Sequence, residues 1–171
     1  MANRFANAYA LLIAVDENKE AAAALPAVGA DARALRELLV HPQRCAYAPE
    51  NVRLLSGSQS NRAAILDGLD WLGECLAAVP DGKATAFIYF SDHSHAERGE
   101  HYLIPYDLKL RRIGGSAIRA VDFAADVKRL APPLRRARAP WPSAATRCGS
   151  AASTIGCVAR RAAASARPGL C

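Results

Sequence analysis

Residues 87–95 read FIYFSDHSH, an apolar run that stops at a carboxylate and two imidazoles. The full run, ATAFIYFS over 84–91, has the length and the aromatic and aliphatic content of a strand buried on both faces. Two earlier runs share that character, YALLIAV (9–15) and NVRLL (51–55). Helical patterns separate them. Leu35, Leu38 and Leu39 form one stripe between Asp31 and Val40. Ile65, Leu69, Leu72 and Leu76 form another between Asn61 and Ala78, with Ser60 placed to cap it. Strand, helix, strand, helix, strand predicts an α/β fold with right-handed crossovers and a mainly parallel sheet covered on both faces. A short strand at HYLIPYD, ended by Pro105, and a helix over 120–130 extend the pattern.

Beyond Leu130 the pattern stops. Of the 22 Lys and Arg, seven Arg lie in residues 131–171, and none of the 16 Asp and Glu do, so this segment supplies the whole basic excess of +6. Ala, Arg, Pro and Ser dominate it and large aliphatic residues are scarce. The sequence therefore predicts one domain over 1–130 and a tail over 131–171 that buries little surface and is disordered or out of frame. The second alternative has a specific form. Back-translated one base out of register, Pro142–Arg147 permits an aliphatic residue followed by Cys, Cys, His and Ala.

No apolar stretch is long enough for a membrane span, and the run from Tyr9 is too short and too weakly flanked for a signal peptide, so a soluble, cytoplasmic protein is expected. The five Cys show no metal-ligand spacing, so free thiols are expected and no metal or cofactor. No phosphate loop, dinucleotide fingerprint or GxSxG occurs.

His93 stands where the reacting groups of open α/β sheets gather, at the carboxyl end of a strand. Its neutral imidazole can take a proton from a nucleophile and return it to a leaving group; the simpler alternative is a loop histidine that hydrogen-bonds its neighbours. Alternation points the adjacent side chains the other way, so Asp92 is not assigned that role.

The order of these stretches resembles the caspase-like cysteine peptidases, and among them the bacterial metacaspase type. ALLIAV is similar to the family's first strand, LPAVGADARALRELL to its LPGCVNDA segment and helix, and NVRLLSGSQSNRAAILDGLDWL to the next strand and helix. FIYFSDHS with HYLIPYD resembles the histidine strand, usually ending SGHG, and the LLPYD beyond it. The resemblance covers about Tyr9 to Leu130 and implies a caspase-like three-layer sandwich. It makes His93 the catalytic histidine, and Asp31 an acidic residue lining the pocket for an Arg or Lys before the cut. A helix N-cap is the alternative for Asp31. Two family glycines are here Asp92 and Ser94; the Ser94 amide is the one left to donate to an oxyanion.

The family's last core strand, ending in a motif like DCCHSG, has no counterpart, so that strand is missing or replaced. Cys45, Cys75, Cys148, Cys157 and Cys171 lack both its context and a neighbouring imidazole. Three functions follow as alternatives. The first is a cysteine-type endopeptidase domain left inactive by loss of its nucleophile. The second is a noncatalytic module that binds a polypeptide through the surviving cleft. The third, binding of nucleic acid by the Arg-rich tail, lacks aromatic interleaving and a recognition module, and a solvated charge run is the simpler reading of that tail.

Overall fold

The computed structural model describes residues 7–19, 25–80, 84–130 and 152–160. Strand β1 (Ala8–Ala14) is buried at every position except Tyr9, as expected of a strand with neighbours on both sides and helices on both faces. It pairs in parallel with β2 (Val52–Ser56) and with β3 (Thr85–Glu97). The crossovers are α1 (Pro26–Val40) and α2 (Arg62–Ala77), which lie on opposite faces. Under α1, Ala8, Ala10 and Leu12 of β1 pack with Leu39 and Val52. On the other face Leu11 and Ile13 pack with Ile65, Leu69 and Leu72 of α2 and with Ile88 and Phe90 of β3.

The sheet is mixed rather than mainly parallel, and the reason lies in β3. The polar residues Ser91–His95 do not end the strand. It continues to Glu97 and folds back through a two-residue turn into β4 (Glu100–Leu103). Arg98 and Gly99 take φ of 51° and 82°, the left-handed pair that such a tight hairpin requires. After a single helical turn, α3 (Ile113–Ser116), the short β5 (Ile118–Arg119) pairs antiparallel with β4. Helix α4 (Ala120–Leu130) then sets Phe123 edge-on to Phe90, 5.3 Å between ring centroids, on the α2 side of the sheet.

Two helix starts differ from expectation. Helix α1 begins at Pro26, whose missing N–H costs nothing in a first turn, so Asp31 lies inside the helix and is not its N-cap. The cap of α2 is Asn61, whose side chain accepts from the Ala64 amide at 3.0 Å; Ser60 is buried and its hydroxyl donates to the Gly57 carbonyl.

The tail contains a strand that the sequence pattern did not show. Strand β6 (Ala152–Arg160) pairs antiparallel with β3 over Thr85–His93, on the edge away from β1. Residues 131–151 and 161–171, on which the expectation of a disordered or out-of-frame tail also rests, lie outside the described residues.

Candidate functional site

In the strand order β2-β1-β3 the first crossover passes from β1 out to β2 and the second from β2 back across β1 to β3, over the opposite face. The carboxyl ends of β1 and β3 are the point where the strand order reverses, the place where open α/β sheets form a ligand crevice. The ladder between β1 and β3 ends at Ala14 and Ser91, and the Val15 amide donates one last bond to the Ser91 carbonyl at 2.9 Å. His93 follows two residues on, half-buried, where β3 has left β1 and not yet joined β4. It lies inside a continuous strand and not in a loop. Alternation puts it in phase with Phe87 and Tyr89, which pack toward α1, and out of phase with Ile88 and Phe90, which pack toward α2.

The segments at this end of the sheet are tied to one another. Asp16, two residues past β1, accepts the Gly57 amide at 2.7 Å through Oδ1, joining the loop after β1 to the loop after β2. Its other oxygen lies against Gly29 in the second turn of α1, so close that a β-carbon on residue 29 would overlap it. The segment after β4 crosses the same end of the sheet. The Pro105 carbonyl accepts from Asn18 Nδ2 at 2.8 Å, the Tyr106 carbonyl from the Lys19 amide at 2.9 Å, and the Tyr106 amide donates to the Ser60 carbonyl at 3.0 Å. Asp107 Oδ1 accepts the Arg62 amide at 2.8 Å, placing a carboxylate on the positive end of α2 and satisfying one of its open donors.

Of the residues singled out from sequence, His93 and Asp31 come to the same edge of the sheet. Asp31 is exposed on the second turn of α1, flanking the buried Val28 and Ala32, with no ion pair among the described residues. Ser94 is held in the β3–β4 ladder opposite Leu103, so its amide belongs to a strand. Asp16 was not anticipated; its one sequence signal is a carboxylate immediately after an apolar strand.

The described thiols are elsewhere. Both crossover helices run from the carboxyl edge of the sheet back to its amino edge. Cys45, in the connection from α1 to β2, and Cys75, in the last turn of α2, therefore lie at the end opposite His93. Burial pushes the Cys75 thiol up, the nearby Arg53 guanidinium offsets this in part, and Glu74 adds to it. Cys157 pairs with Ile88, five residues from His93 along β3, about 16 Å at the rise of a strand. Cys148 and Cys171 lie outside the described residues.

Among the described residues no three His, Cys, Asp or Glu side chains group as a metal site, and no helix is long and apolar enough to cross a membrane. No protein-family model, curated protein or solved structure matches the chain.

Proposed function

We propose that the chain is a caspase-like cysteine-peptidase domain that keeps the histidine half of its dyad and does not cut peptide bonds, because the sequence lacks the family's nucleophile motif and none of the described thiols lies at the end of the sheet that carries that histidine. The observation that carries this reading is the position of His93 on β3, just past the point where β1 leaves it, at the carboxyl end of the parallel strands. In this chemistry a thiolate attacks the peptide carbonyl, the imidazole holds the thiol proton and passes it to the leaving amine, and amides stabilise the oxyanion. His93 supplies the proton-holding group. Asp31, exposed at the same edge, suits a polypeptide that presents Arg or Lys to the crevice. Without the nucleophile the covalent route is closed, and binding of an extended basic segment is what the crevice retains.

The test is turnover of peptides with Arg or Lys before the reporter group by the purified full chain. No cleavage above background is expected, and none that His93→Ala changes. Turnover that His93→Ala abolishes overturns the proposal. A basic peptide whose binding is unaffected by Asp31→Ala removes the role given to Asp31.

A further inference from the structure

Asp92 is the one acidic side chain among the described residues that is fully buried. Its Oδ2 accepts the Ile104 amide at 2.6 Å, while Oδ1 has no hydrogen-bond partner. A carboxylate held this way has lost most of its hydration for one hydrogen bond, whereas the neutral acid loses far less. Burial accordingly holds the Asp92 carboxyl well above the ordinary aspartate range, and the Ile104 amide pulls it back only in part. Titratable groups stand on the elements about it, His93 and His95 on β3 and Tyr106 and Asp107 beyond β4, and α2 and α4, on the face it shares with Ile88 and Phe90, carry others. None of them sets its proton affinity; burial, the larger influence, and the Ile104 amide do.

What Asp92 holds gives this carboxyl its consequence. Ile104 opens the segment 104–107, whose next three residues bind the loop after β1, the loop after β2 and the first turn of α2. The Asp92 carboxyl is a side-chain bond from β3 to that clamp, made one residue before His93. We propose that Asp92 is a proton-operated latch: protonated, it fastens residues 104–107 to β3, and ionised, it releases them and loosens the walls of the crevice around His93. The latch goes beyond the peptidase reading and does not need it, since the walls move whatever the crevice binds.

Amide hydrogen exchange on the full chain, followed from about pH 5 to pH 9 and corrected for intrinsic exchange, tests this. Protection of residues 104–107 is expected to fall as pH rises, by at most about tenfold per pH unit for one proton. Residues 11–15 of β1, which exchange only when the whole fold opens, are expected to stay better protected than 104–107 at every pH. In Asp92→Asn, which puts a neutral group of similar size in the same place, the protection of 104–107 should be flat. Parallel curves for the two proteins overturn the latch, and so does equal protection of 104–107 and β1 throughout, because the carboxyl then supports the whole fold and not the clamp. Should Asp92→Asn fail to fold, a carbon NMR titration of the Asp92 carboxyl in the unaltered chain decides. A midpoint that coincides with the loss of loop protection supports the latch, and ionisation near the ordinary ~4 of an aspartate overturns it.

Discussion

Gly29→Ala should destabilise this protein even though alanine is the better helix former, and the sign should reverse when Asp16 is removed. In an open helix the exchange gains up to about 1 kcal/mol. Here the new β-carbon would overlap Asp16 Oδ2 and lie 2.9 Å from its Cγ and 3.2 Å from its Cβ. The carboxylate must swing away, and the bond that holds it is the 2.7 Å acceptance from the Gly57 amide. A hydrogen bond to a charged group contributes about 1.5–3 kcal/mol, so losing it outweighs the helix gain and leaves a net loss of about 1–2 kcal/mol. In an Asp16→Ala background neither the overlap nor the bond exists. Gly29→Ala there should stabilise by a few tenths to about 1 kcal/mol. Urea unfolding of the two single variants and the double variant, followed by tryptophan fluorescence, gives the cycle. The same sign of effect in both backgrounds would refute the packing of Asp16 against α1.

Two further outcomes are expected. The raised proton affinity of Asp92 means that the folded chain holds a proton the unfolded chain releases near ~4, so stability falls as pH rises above that value and levels off once Asp92 ionises in the fold. The loss is about 1.4 kcal/mol for each pH unit crossed inside that window; denaturant midpoints of Asp92→Asn should lack it, and identical slopes for the two proteins would rule it out. Ala152→Cys places a thiol on the residue paired with His93, where Cα atoms of facing strands are about 4.5–5.5 Å apart, so the thiol should ionise more readily and alkylate faster near about pH 6 than in the His93→Ala double variant. Equal rates would remove the register given to β6.

The parts of the fold that were legible are those where large side chains keep a period. The stripe of Ile65, Leu69, Leu72 and Leu76 announced α2, and α4 runs over the expected 120–130. The first turns of α1 were missed because what they bury is small: Val28, Gly29 and Ala32 make no apolar stripe, and Leu25 caps without a side-chain bond. The length of β3 was hidden by its polar second half and by a turn built on Arg98–Gly99 in place of the Asn-Gly or Asp-Gly that usually marks a tight hairpin. Strand β6 carries Ala, Ser, Thr and Gly at five of nine positions and gives no strand signal. His93 could be singled out because a reactive residue after an apolar run is a local feature. Asp16 and Asp92 could not, since each depends on a distant partner, Gly57 and Gly29 for one and Ile104 for the other.

Among the described residues, chain direction is what separates the sulfur of β6 from His93. A strand running parallel to β3 on that edge would deliver its last residues to the carboxyl end of the sheet, beside His93, with a following loop free to carry a nucleophile into the crevice. Strand β6 runs the other way. It starts opposite His93 at Ala152 and carries Cys157 down to the level of Ile88, so each residue toward the C-terminus lies one strand rise, about 3.3 Å, farther from the imidazole. The residues β6 does bring level with Ser91, Asp92 and His93 are Thr154, Ser153 and Ala152, none with a thiol. Pairing along the whole apolar run of β3 thus covers the edge that β3 would otherwise present to other chains and at the same time fills the place a parallel, thiol-bearing strand would need. Within β6, then, a thiol comes level with His93 only if it stands at the first residues of the strand, and Cys157 stands at the sixth.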